Sequence, residues 1–135
     1  MLITKETDYA LRILRALADG ERLTVAELAQ SEQVPQQFAY KILKKLERGG
    51  VVSILRGVGG GYVLATKLDQ VTLYQLMQIM EADSTISSCM NPRYQCQWCK
   101  AHGNAQCHAH IHLTSIQKKL DEQLNAYSLQ KVLFG

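Results

Sequence analysis

Residues 34–65 read VPQQFAYKILKKLERGGVVSILRGVGGGYVLA, and a change of rhythm inside this stretch decides the fold. Its first half has helical spacing. Phe38, Ile42, Leu43 and Leu46 recur at three- and four-residue intervals and predict one apolar side. Pro35 suits a first helical position, where its missing N–H would have no partner anyway. Gly49-Gly50 ends the helix. From Val51 the period changes: Val51–Leu55 is β-branched and apolar, Gly57–Gly61 is glycine-rich, and Tyr62–Ala65 is apolar again. Two short strands around such a tip predict a β-hairpin that projects from the body.

Upstream, residues 6–19 carry Tyr9, Ala10, Ile13, Leu14 and Leu17 on one stripe, which predicts a helix stopped by Gly20. Thr24 and Glu27 form a capping-box pair that opens a short second helix, Val25 to Ser31. Helix, short helix, helix and hairpin is the order of a winged helix-turn-helix. Downstream, Thr72 and Gln75 form another capping-box pair, opening a helix to about Ala82. Residues 84–107 have little periodicity. From His108 to Tyr127 an apolar stripe returns through Leu113, Ile116, Leu120, Leu124 and Tyr127. The expected fold is mainly α with a small β-hairpin wing. Its expected parts are a winged helix-turn-helix (1–68), a connecting helix (69–83), a cysteine-rich loop (84–107) and a long helix with a tail (108–135).

The chain has 135 residues, 47% of them apolar, enough for a real core. No apolar run approaches the ~18–20 residues that cross a bilayer. The polar start, Met1–Glu6, does not read as a signal peptide, so a cytoplasmic protein without a membrane partner is expected. The net charge of +3 lies wholly in residues 1–68, with ten Lys/Arg against seven Asp/Glu; residues 69–135 hold five of each. In a winged helix-turn-helix the third helix enters the major groove of double-stranded DNA, its N-terminal residues nearest the bases. Gln36, Gln37, Tyr40 and Lys41 occupy that turn. Glutamine pairs bidentately with adenine and lysine favours guanine. Lys44, Lys45 and Arg48 lie farther along and suit phosphates. Arg56 precedes the hairpin tip and suits a minor groove. The bland alternative is a winged helix serving as a protein–protein adaptor.

All four cysteines, Cys89, Cys96, Cys99 and Cys107, fall in one loop. Clustered thiols in a reducing compartment point to metal binding or redox sensing. The set suits an iron–sulfur cluster, a zinc site or a thiol–disulfide switch. Enzyme readings lack support. The Cys-x2-Cys pair does not open a helix beside a βαβ pattern, which excludes the common thiol oxidoreductase context. Gly59–Gly61 does not open a helix either, so it is not a phosphate-cradling loop. A small redox protein without DNA binding is the different-class alternative.

Four segments carry a resemblance: Thr7–Arg12, the Lys-Ile-Leu-Lys-Lys-Leu run at 41–46 after Pro35, Gly50–Gly57, and Gly59–Ala65. Together they resemble the Rrf-two (Rrf2) family of bacterial winged helix-turn-helix transcription regulators. The wing pattern, Arg-Gly followed by Gly-Gly-Tyr, is the most specific part. That family includes a regulator of iron–sulfur cluster assembly and a nitric-oxide-sensing repressor. The resemblance implies a homodimer joined through the long helix, a palindromic operator, and a regulator, expected to be a repressor, whose DNA affinity responds to an iron–sulfur cluster (2Fe–2S or 4Fe–4S). It further implies three cysteine ligands from the loop and a variable fourth. His110, three residues after Cys107, matches one known fourth-ligand position, and Asp8 on the first helix matches another, contributed across the dimer. Here Cys89, Cys99 and Cys107 with Cys96 or His110 is the preferred set.

Overall fold

The computed structural model describes all residues, 1–135. Helix α1 (Lys5–Leu17) begins at Thr4, whose hydroxyl accepts from the Thr7 amide. Helix α2 (Val25–Glu32) begins at Thr24 in the same way, with Glu27 as its partner. Helix α3 spans Gln36–Arg48. Pro35 stands one place outside it, extended at ψ 133° as the N-cap, rather than inside its first turn as expected. Gln33, the left-handed C-cap of α2 at φ 56°, reverses the chain ahead of it.

The apolar stripes meet in one core, where Ala10, Ile13, Leu14, Leu17, Leu28, Ala39, Ile42, Leu43 and Leu46 are fully buried. Phe38 is the exception to the expected apolar side. It is 42% exposed and leans on Tyr9 at the surface, while the small Ala39 faces α1 and α2.

Strands β1 (Val52–Leu55) and β2 (Gly61–Leu64) pair antiparallel, Val52 opposite Leu64 and Leu55 opposite Gly61. The segment linking α1 and α2 adds a third edge that the sequence pattern does not announce. Leu23 N donates to Tyr62 O at 3.1 Å, and Tyr62 N donates back to Leu23 O at 2.8 Å. This explains the wing glycines by close approach. A Cβ on Gly60 would stand 2.5 Å from Leu55 O, and one on Gly61 2.9 Å from Leu23 O.

Helix α4 (Leu73–Ile79) starts with both capping-box bonds in place. The loop after it holds a 3-10 turn (Ser88–Met90) and a short helix, α5 (Gln97–Ala101). Helix α6 (His108–Ala126) is one rod of about 28 Å. Helix α7 (Leu129–Phe134) then turns back onto the winged-helix body: Leu129 is fully buried, and its amide bonds Val71 O at 2.8 Å. Packing therefore ignores the compositional boundary near residue 68, since Leu68, Val71, Leu76, Met80 and Leu129 belong to the same core as α1–α3. No helix is long and apolar enough to cross a membrane.

Along the α6 stripe, Leu124 is buried and Leu113 and Leu120 are half-buried, whereas Ile116 and Tyr127 remain exposed. Helix α6 lies against α4 but leaves a flank of its stripe uncovered.

Gly61→Ala tests the wing. Its backbone at φ 154° and the Leu23 carbonyl both oppose a methyl group. The expected loss is roughly 1–3 kcal/mol in urea unfolding. An unchanged midpoint would show that the Leu23–Tyr62 pairing does not constrain this position.

Candidate functional site

Two sites emerge, a basic face on α3 and the wing, and a cysteine-lined cavity beneath α6. On the basic face, Gln36, Gln37, Tyr40, Lys41, Lys44 and Arg48 are exposed along α3, and Arg56 is exposed at the hairpin turn. Lys44 Nζ lies 4.9 Å from the centre of the Tyr40 ring, a cation–π contact that holds both side chains at the surface.

The ion pairs sort the cations. Arg12 pairs with Asp8 and Arg15 with Glu32, both at 3.0 Å. Lys41 Nζ and Lys45 Nζ share Glu6, at 2.8 and 2.9 Å. Lys45 is only 15% exposed, donates also to Met80 O at 3.3 Å, and stands 3.6 Å from Glu81. Its ammonium is committed inward, joining α1, α3 and the end of α4, so its surroundings differ from those expected of a phosphate contact. Lys44, Arg48 and Arg56 carry no carboxylate partner.

The second site is assembled by the loop. Asp83 accepts from the Thr85 amide and hydroxyl at its start. Gln117 on α6 receives the Ile86 amide at 2.8 Å and donates to Ser84 O at 3.0 Å, fixing the loop to the rod. The result brings Cys89, Cys96, Cys99, Cys107 and His110 to the walls of one cavity of about 250 Å³, with Ser87, Ser88, Tyr94 and Leu113. The same four cysteines and His110 also line an adjoining hollow with Ala105 and Ile111. All four thiols are free and half-buried.

Two of them stand at the starts of helices. Cys96 stands at the N-cap position of α5 without a side-chain capping bond, and the nearby Cys99 amide, followed by the Cys99 thiol and the Trp98 amide, draws its thiol below the ordinary range. Cys107 precedes α6, and its sulfur accepts from the His110 amide at 3.5 Å. Desolvation pushes Cys99 up, followed by its hydrogen bond with Cys96 and the nearness of Cys96, Cys107 and Cys89. Cys89 lies 3.3 Å from the Ser87 hydroxyl. No three of the Cys, His, Asp or Glu side chains are drawn closely enough together to hold a single metal ion.

Asp8 is not on this cavity; it lies on α1 with Arg12. Trp98 does not line it either. It stacks on His102, ring centres 4.4 Å apart, and is half exposed. The aromatic wall is Tyr94, which sequence reasoning passed over. It is placed by a turn in which Tyr94 N bonds Asn91 O and Arg93 N bonds Asn91 Oδ1. The Asn91-Pro92 pair is the turn signal that could have located it.

The Rrf2 family model, described as an iron-dependent transcriptional regulator, matches residues 3–134. The HTH-type transcriptional repressor NsrR of Streptomyces coelicolor is 38% identical over 93 residues, covering 66% of this chain and 63% of that protein. Protein Aau3 of Rhizobium meliloti is 35% identical over 91 residues, covering 66% and 59%. The matches thus span about three fifths of the length of these relatives. Among solved structures, CymR, the global cysteine regulator of Bacillus subtilis, superposes with a TM-score of 0.75 at 19% identity, covering 98% of this chain and 96% of that one. That last likeness establishes a shared fold.

The Glu6 junction yields a pH test. Hydrogen bonds from Lys41 and then Lys45 hold the Glu6 carboxyl below its ordinary range. A depressed carboxylate stabilises the fold above its unfolded value of about 4.3 and loses that contribution as pH falls through the folded value. Glu6→Gln should lower stability at neutral pH by no more than about 1 kcal/mol. The gap to the parent protein should close progressively below about pH 4. A gap in urea unfolding that persists undiminished into acid would remove the carboxylate from the account.

Proposed function

Because the chain belongs to the Rrf2 family of transcriptional regulators, we propose that it binds a palindromic operator as a homodimer and that an iron–sulfur cluster in the cysteine cavity sets its DNA affinity. The observation that carries the sensing part is the convergence of four cysteines, spread over residues 89–107, on one cavity lined largely by apolar residues. Soft thiolates suit iron–sulfur clusters. A hollow of about 250 Å³ walled by four sulfurs has room for a group of several atoms. Cys89, Cys96, Cys99 and Cys107 would hold the cluster. Cys96 is favoured over His110 because both line the cavity and a thiolate is the softer ligand. The N-terminus of α6 at Cys107 adds a favourable partial positive charge. Asp8, with Arg12 as its counter-ion, is the weaker candidate.

A bound cluster supplies redox and ligand-exchange chemistry that changes the loop's cross-linking. This chain's residues would carry that change to DNA. Gln117 ties the loop to α6, and Lys45 ties the end of α4 to the recognition helix α3. At its other end α6 is stitched to the body through Thr72, Asn125 and α7. The exposed flank at Ile116 and Tyr127 gives a second copy a place to pack, bringing two winged helices to two half-sites. Gln36, Gln37, Tyr40 and Lys41 would meet base edges, Lys44 and Arg48 phosphates, and Arg56 a minor groove. A cytoplasmic, reducing setting fits the free thiols.

A second reading, a thiol–disulfide switch at Cys96 and Cys99, is favoured by their Cys-x2-Cys spacing at the start of α5, where the Cys96 thiol is drawn below its ordinary range. Anaerobic reconstitution with iron and sulfide separates the two. The expected result is a visible absorbance band, lost in Cys99→Ser, together with changed retention of genomic fragments in gel shifts. A colourless protein whose DNA binding responds only to thiol oxidants would replace the cluster by the switch.

Salt dependence tests the DNA face. Lys44→Gln should reduce the slope of log affinity against log salt by about 0.9, one phosphate contact. Lys45→Gln should lower the unfolding midpoint instead. Equal slope losses in both variants would return Lys45 to the phosphate contacts.

A further inference from the structure

Arg22 lies in the segment between α1 and α2, outside the recognition helix and the hairpin. Its neighbour Leu23 forms the third edge of the wing through the two backbone bonds to Tyr62. This pairing lays the Arg22 side chain along the glycine strip. A Cβ on Gly61 would meet Arg22 Cγ at 3.0 Å, and one on Gly59 would meet its Nη2 at 3.2 Å. The aliphatic stem therefore runs beside Gly61 and the guanidinium ends beside Gly59, at the hairpin turn closed by Gly60 N to Gly57 O. Side chains on these glycines would displace it.

The guanidinium is exposed and has no carboxylate partner within 4.0 Å. Asp19 and Glu21, the acidic residues next to it in sequence, do not close on it. Four of the other cations of the winged helix are neutralised by Asp8, Glu32 and Glu6. Arg22 thus belongs with Lys44, Arg48 and Arg56 among the exposed cations that have no carboxylate partner, and it lies at the hairpin turn that Arg56 precedes.

We propose that Arg22 is a second DNA-contacting cation of the wing, donating to a backbone phosphate of double-stranded DNA beside the groove that Arg56 enters. The proposal rests on the DNA-binding reading above. Arginine suits the role because its planar fork matches phosphate oxygens. A phosphate contact positions the wing and carries no sequence information.

The test measures binding of the full chain to a fluorescently labelled duplex of mixed sequence across a salt series. Arg22→Gln keeps a stem that covers Gly61 and removes the charge. It should weaken binding several-fold at low salt and reduce the slope of log affinity against log salt by about 0.9. Arg22→Lys should restore the slope, and thermal unfolding should match the parent protein in both variants. An unchanged slope in Arg22→Gln, beside a reduced one in Lys44→Gln, overturns the assignment and leaves the DNA-binding reading intact. A lowered unfolding midpoint that Arg22→Lys repairs without repairing the slope makes Arg22 a packing residue and also overturns it. No salt-dependent binding by the parent protein removes both readings.

Discussion

The carboxylate of Glu6 sits between two lysines of α3, and much of the surface follows from that placement. It takes Lys41 and Lys45 together, at 2.8 and 2.9 Å. Lys45 then reaches Met80 O at the end of α4. One partly buried junction thus ties α1 to the recognition helix and ties both to the segment that leads into the cysteine loop. Such a junction is worth little as a surface ion pair. Its consequence is geometric: it turns the Lys45 ammonium inward and joins α3 to the end of α4.

From that end the chain enters the cysteine loop, and the loop's shape depends on how α6 receives it. Gln117 binds Ser84 and Ile86, so the loop starts against the middle of α6 and returns to its N-cap at Cys107. Cys89 and Cys107, eighteen positions apart, are thereby brought to one cavity. The rod's other end is fastened to the winged-helix body by Thr72 and α7. On the proposed reading, a change of cross-linking in the cavity would act on an element anchored at both ends, with leverage on a two-state bias of a few kcal/mol.

The wing obeys a different constraint, the close approach of three backbone segments. Leu23, Leu55 and Gly57 leave no space for a Cβ at positions 60 and 61. The glycine run that reads in sequence as a flexible tip is, at these positions, the requirement of a packed turn. The same absence of side chains opens the track along which Arg22 lies.

The winged helix-turn-helix was legible in the chain because its elements are written in local periodicity. Apolar spacing sets the helices, Thr24 and Thr72 set two starts through bonds made within four residues, and the change to β-branched residues at Val51 sets the hairpin. The four cysteines declared themselves by type and clustering. What sequence could not supply were contacts between residues far apart in the chain. Lys45 read as one more basic residue until Glu6 and Met80, 39 and 35 positions away, closed on it. Trp98 attracted notice as the lone tryptophan, but a turn at Asn91 put Tyr94 on the cavity wall instead. Phe38 fell on the apolar period, yet it lies at the surface against Tyr9, and Ala39 is the buried residue. Local order determined which elements form, since each is stabilised largely by bonds within itself. Tertiary packing decided which charges stay free and which thiols meet, since both depend on neighbours that only the folded chain brings together.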